Sequence, residues 1–117
     1  MSIFDDVSKF MVACGQTVDI DNVAQGSLYI DLIAEEFDEL NSSETQEDEL
    51  DAVCDMLYVL IGLANSRGYD ITGAFREVHR SNMSKVDPST GKVLKREDGK
   101  ILKPSTFSPP HLIPYVL

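Results

Sequence analysis

Two groups of carboxylates dominate this chain. Glu35, Glu36 and Glu39 stand in the run Glu-Glu-Phe-Asp-Glu, and Asp48, Asp51 and Asp55 follow at intervals of three and four residues. The second group leads directly into an apolar stretch, Met56 to Ala64. Carboxylates three or four residues apart share one face of an α-helix. Two such faces turned toward each other repel unless a divalent cation lies between them, and their oxygen donors suit Mg²⁺ or Mn²⁺. A run of acids on a helix is ordinarily a solvated face, and Asp38, Glu44, Glu47 and Glu49 are assigned to that role. Asp55 is different. Its neighbours at helical spacing are Asp51, Ala52, Tyr58 and Val59, which places it in or beside the core. An unpaired carboxylate there is costly, and a cation is the economical partner.

The charge is unevenly distributed along the chain. Fifteen of the twenty Asp and Glu precede Met56, whereas nine of the ten Lys and Arg follow Asp55. An acidic half suits a hard cation and a basic half suits phosphate, so a metal-bound nucleoside triphosphate would satisfy both. Duplex nucleic acid is a poor partner for the acidic half, since phosphate binding needs clustered bases. No stretch has the length of a membrane span. The start, MSIFDDVSKF, carries acids where a signal peptide needs bases. Cys14 and Cys54 have no metal-ligand spacing and read as reduced core thiols of a cytoplasmic protein.

At 117 residues the chain is long enough for a modest core. The patterning predicts a first helix from Ser2 to about Cys14, ended by Gly15, and a second, capped by Asp21, to about Leu40. On the second, Leu28, Leu32, Glu35 and Glu39 fall on one line. Asn41-Ser-Ser is read as a loop. Thr45 with Asp48 resembles a capping box opening a third helix to Arg67, closed by Gly68. Met56–Ala64 is apolar almost all round, which predicts burial on more than one side and hence a second subunit. Asp70 would cap a fourth helix from Ile71 to about Ser84. All five prolines follow Val86, and the tail is expected to be non-helical, with a short hairpin through Asp98-Gly99.

The fourth helix ends Arg76-Glu-Val-His-Arg80-Ser-Asn82-Met-Ser-Lys85. Bases near a helix C-terminus favour its dipole, which accounts for Arg80 and Lys85 without a ligand. The functional alternative puts Lys85 on a phosphate and Asn82 on metal or sugar. Lys92, Lys95, Arg96, Lys100 and Lys103 form a strip able to neutralise a polyphosphate.

Taken in order, these segments resemble the all-α nucleoside triphosphate pyrophosphohydrolases, the MazG-like and phosphoribosyl-ATP pyrophosphohydrolase-like superfamily. Glu35-Glu36-Phe-Asp-Glu39 matches that family's EExxE, and Asp51-Ala-Val-Cys-Asp55 stands where its ExxD motif stands. Asn82-Met-Ser-Lys85 is similar to its Asn-x-x-Lys segment. Arg96-Glu-Asp-Gly-Lys100, Phe107-Ser-Pro-Pro and the first-helix ending Phe10–Gln16 resemble small phage-type or stand-alone members. Ala52 departs from the pattern, occupying the place of the ExxD glutamate, and Asp51 is the candidate substitute.

The resemblance implies an all-α, four-helix MazG-like bundle over residues 1–86. A basic, proline-containing tail, 87–117, would pack on the site, and the assembly would be a homodimer or homotetramer. It implies Mg²⁺ or Mn²⁺ on Glu35, Glu36, Glu39, Asp51 and Asp55, with Glu35, Glu36, Glu39 and Asp55 catalytic. Water would attack the α-phosphorus of a (d)NTP, giving (d)NMP and pyrophosphate, with Glu36 positioned to take the proton. Lys85 and Lys103 are assigned to the leaving pyrophosphate, and Asn82, also substrate-binding, stands near the metal. Gln16 is assigned to the base edge from its placement alone. The expectation leans to a purine deoxynucleotide such as dGTP, which no residue compels, in the cytoplasm, or the host cytoplasm for a phage protein. The alternatives are a non-catalytic nucleotide-binding or dimerisation module, favoured by Ala52, and a phosphoribosyl-ATP pyrophosphohydrolase.

Overall fold

A computed structural model describes residues 2–117. The fold is all-α. Its helices are α1 (Ile3–Ala13), α2 (Val23–Ser42), α3 (Gln46–Ser66) and α4 (Ile71–Met83). The remaining regular structure is an antiparallel pair of two-residue strands, β1 (Val86–Asp87) and β2 (Lys92–Val93), and a 3₁₀ turn at Ile113–Tyr115. No helix among the described residues is long and apolar enough to cross a membrane.

Side-chain caps begin three of the helices. Ser2, Asn22 and Thr45 accept the backbone N–H groups of Asp5, Gln25 and Asp48, three residues on in each case. The cap of α2 is therefore Asn22, not Asp21, because Asp21 is engaged by the Arg67 guanidinium at 2.7 Å. Asn41 and Ser42 also belong to α2 rather than to the loop. The terminal carbonyls that would favour an earlier end are satisfied by the Ser42 and Ser43 hydroxyls, which donate to Asp38 and Leu40.

The described residues form two compact units, 2–71 with 116–117, and 72–115. The first contains α1, α2 and α3. Its core is Val7 and Met11 of α1, Tyr29 of α2 and Ile61 of α3, with Phe4, Val18, Leu32, Val59, Leu63 and Ile71 packed against them. The short link between α2 and α3 makes them an antiparallel hairpin. Their seam is visible in successive pairs. Gln25 Nε2 donates to Ser66 Oγ at 2.8 Å. The Tyr29 ring lies directly over Gly62, where any Cβ would overlap it. Leu32 and Val59 both pack on the core. Continuing the alternating steps of four and three residues leads to Glu36 with Asp55, then Glu39 with Ala52.

Gly68 closes α3 with φ +71°, and a Cβ there would stand 2.9 Å from the Ile20 carbonyl carbon. That close approach, with Asn22 N–H donating to the Ser66 carbonyl at 2.7 Å, ties the α1–α2 connector to the end of α3. The apolar stretch of α3 is buried on one side only. Ile61, Gly62 and Ala64 are covered, while Leu57, Tyr58 and Leu60 remain exposed. Cys54, on α3, and Cys14, just after α1, are exposed free thiols and not core residues as expected, because each faces away from the packed side of its helix.

The second unit holds the rest of α4 and the tail. The expected turn at Asp98-Gly99 forms, with Lys95 bridged to Ile101 and Leu102 N–H donating to the Leu94 carbonyl. The ribbon of β1 and β2 adds to that expectation. Its turn is nucleated by Asp87, whose carboxylate accepts the Ser89 N–H and hydroxyl at 2.9 and 2.7 Å.

Candidate metal centre

The seam between α2 and α3 changes from apolar to acidic after Leu32 and Val59. Glu36, Glu39 and Asp55 each bring a carboxylate oxygen into one group whose members lie within 4.8 Å of one another. Glu36 and Asp55 are half-buried and Glu39 is exposed, so the group opens from the helix interface toward solvent. Beside it an open cleft of about 250 Å³ is lined by Glu39, Ser42, Ser43, Asp48, Asp51 and Ala52. Ala52 is itself buried at this wall. Asp51, its neighbour in sequence, lines the same cleft.

Electrostatics mark the group as incomplete. Burial, a hydrogen bond with Glu39 and the charges of Glu39, Asp55 and Asp51 raise the Glu36 carboxyl to about 7. Burial, then the charges of Asp51 and Glu39, push Asp55 up as well. Glu36 Oε2 is buried with no hydrogen-bond partner, the one such side-chain atom among the described residues. A buried, unsatisfied carboxylate oxygen amid like charges is unstable as an anion. Either a proton or a cation must satisfy it. An all-carboxylate donor set fits a hard divalent ion such as Mg²⁺ or Mn²⁺.

Glu35 is exposed and lies outside this group. The line read through Leu28, Leu32, Glu35 and Glu39 shares Leu32 and Glu39 with the seam, which runs instead through Gln25, Tyr29 and Glu36 at its other positions. The signal that could have found it is the small residues opposite: Gly62 and Ser66 fall at the same alternating spacing from Asp55. Gln16 is part-buried, and its side-chain oxygen accepts the Tyr29 hydroxyl at 2.6 Å.

The remaining assigned residues gather in the second unit. Lys85 Nζ donates to Asn82 Oδ1 at 3.1 Å. Lys85 and Lys103 both place their ammonium groups near the Phe107 ring, 5.8 and 4.8 Å from its centre. Phe107, quoted above only as part of Phe107-Ser-Pro-Pro, thus meets both lysines, a contact that no periodicity in a proline-containing tail predicts.

Against known proteins, the model of the phosphoribosyl-ATP pyrophosphohydrolase family matches residues 16–82. This segment contains α2, α3 and nearly all of α4. No curated protein matches the chain.

Proposed function

The chain belongs to the phosphoribosyl-ATP pyrophosphohydrolase family, and from that premise we propose that it is a metal-dependent nucleoside triphosphate pyrophosphohydrolase. The reaction is (d)NTP and water to (d)NMP and pyrophosphate. The observation that carries this reading is the unpartnered Glu36 oxygen within the carboxylate group. Glu36, Glu39 and Asp55 would hold Mg²⁺ or Mn²⁺, with Asp51 adjoining and Glu35 outside them. When bound, the metal neutralises phosphate charge and lowers the pKa of a water.

The chain's own residues supply the rest. Glu36 is the candidate proton acceptor, because its oxygen Oε2 is left without a partner inside the carboxylate group. Lys85 and Lys103 bind the phosphates as they leave, with Asn82 fixing Lys85. Gln16, with its oxygen held by Tyr29, is left its amide N–H₂ to meet a base acceptor. A purine deoxynucleotide such as dGTP is the leading substrate. The family's own name favours one second reading, phosphoribosyl-ATP as substrate. Active protein is a homodimer or homotetramer, since the exposed side of α3 remains uncovered in one chain.

Pyrophosphate release from the eight common NTPs and dNTPs and from phosphoribosyl-ATP, with Mg²⁺, Mn²⁺ or a chelator, tests all of this. Metal-dependent release from a (d)NTP, abolished in Asp55→Asn, is expected. Release from phosphoribosyl-ATP alone selects the second reading. Nucleotide that binds with metal but is never cleaved rejects the enzyme in favour of a binding module.

A further inference from the structure

The tail is fastened to α4 through its backbone. Ser84 Oγ, at the end of α4, accepts the Ser108 N–H at 2.9 Å and donates to the Ser108 carbonyl at 3.3 Å. One turn earlier, the Arg80 guanidinium donates to the Pro109 carbonyl at 3.3 Å. One turn earlier again, Glu77 Oε2 accepts the His111 N–H at 2.7 Å. Residues 84, 80 and 77 thus meet 108, 109 and 111, so this stretch of tail runs antiparallel to the helix. The lengths agree. From Ser84 to Glu77, seven helical residues cover about 10.5 Å. From Ser108 to His111, three residues of extended backbone cover about 9 Å. Ser108 and Pro109 each precede a proline, which favours that extended form before the tail meets the helix.

Glu77 is the centre of this strap. It also accepts two bonds from Arg80, at 2.6 and 3.0 Å. An ion pair three residues apart that serves only its own helix is solvated and worth little. The Glu77 side chain is instead 13 % exposed, against 47 % for Arg80. A carboxylate covered that far is costly unless its oxygens are filled, and the His111 N–H adds to what Arg80 supplies. The same carboxylate holds the guanidinium that reaches Pro109. No side chain of residues 108–111 takes part in these bonds, so α4 selects the path of the tail rather than its side chains. Glu77 lies within the segment matched to the family, whereas Ser108, Pro109 and His111 lie beyond it.

We propose that Glu77 is a positioning residue: with Arg80 held beside it, its carboxylate sets the register of the tail on α4, and through the tail the place of Lys103. Only the last step, from the tail to the reaction, rests on the pyrophosphohydrolase reading.

Amide hydrogen exchange of the full chain, resolved by residue, tests the strap. Glu77→Ala keeps a strong helix former in α4. It speeds exchange at Ser108 and His111 by about tenfold or more. Leu102, whose N–H is bonded to the Leu94 carbonyl in the same unit, is unaffected. Reversing the pair, Glu77→Arg with Arg80→Glu, restores an ion pair but puts a donor where the His111 N–H needs an acceptor. Exchange stays fast in the reversed protein. Native protection there, or in Glu77→Ala, overturns the proposal, because the pair then serves α4 alone. If Glu77→Ala loosens Leu102 as well, His111→Pro decides, since it removes only the donated N–H; Ser108 then exchanges faster, and an unchanged Ser108 overturns the strap. In turnover, Lys103→Gln costs less of kcat/KM in the Glu77→Ala background than in the native chain, because the lysine is already misplaced. Additive losses overturn the link from strap to reaction. Fast exchange in a protein that cleaves no nucleotide upholds the strap and rejects the enzymatic reading.

Discussion

At the level of single residues, what distinguishes the acids is the side of the helix on which each falls. Glu35 and Glu36 are adjacent in sequence, about 100° apart around α2, and only Glu36 meets Asp55. The EExxE pattern makes the acids conspicuous but cannot say which glutamate faces inward. That depends on where the partner helix lies, and the decisive contact is the Tyr29 ring over Gly62. Activity should therefore respond unequally to substitution. Glu39→Ala is expected to lower kcat/KM by about 100-fold or more, near 3 kcal/mol of transition-state stabilisation. Glu35→Ala should cost less than about tenfold. Steady-state kinetics at saturating Mg²⁺ checks the ranking; equal losses would place Glu35 among the ligands as well.

Among the elements, those with local signals were legible and those dependent on partners were not. The Thr45 cap is where its spacing predicts, because Thr45 and the Asp48 N–H need nothing beyond their own turn. The choice between Asp21 and Asn22 depended on Arg67, forty-six residues away in sequence, which engages Asp21. The α2–α3 seam rests on Gly62 in a similarly long-range way. Gly62→Ala forces a methyl group into the Tyr29 ring and should destabilise the protein by about 1–3 kcal/mol, as overpacking does. Urea denaturation measures this. A double variant, Gly62→Ala with Tyr29→Leu, should recover part of the loss, and no recovery would assign the cost to the backbone instead.

For the molecule as a whole, the accumulated charge makes stability depend on pH and metal together. The folded-state carboxyl of Glu36 is raised from 4.5 to about 7, chiefly by burial. Its contribution to stability is therefore complete below about pH 4.5 and is lost as pH rises through about 7. Asp55 is shifted in the same direction. Glu77 is held down at about 2 by its Arg80 and His111 bonds, so its own contribution disappears only in stronger acid, between about 4.5 and 2. Metal-free protein should melt at a higher temperature at pH 5.5 than at pH 8. Mg²⁺ should shrink or reverse that difference, because it binds the ionised carboxylates. Glu36→Gln should flatten the metal-free profile; a profile unchanged by that substitution would place the titration elsewhere. Association follows from the surface. Phe10, Leu57 and Leu60 are 55, 48 and 45 % exposed, and the Phe10 ring meets Tyr58 edge-on at 5.7 Å. Light scattering should report a dimer or tetramer, and Leu57→Glu should shift it toward monomer.

The fit of Tyr29 over Gly62 also fixes where the gene can tolerate added or lost codons. Tyr29 lies seven residues before Glu36, and Gly62 lies seven residues after Asp55. The notch therefore stands two turns, about 10.5 Å, from the acids on both helices, like a peg through two rulers. One codon inserted between Tyr29 and Glu36 would rotate every later acid of α2 by about 100° and empty the centre without changing a single ligand. The same codon inserted after Ser43 lies beyond the last acid of α2 and before the first of α3, where the peg holds alignment from the far end. Reading frames that gain or lose a residue should thus survive at the hairpin's tip and fail along its shaft.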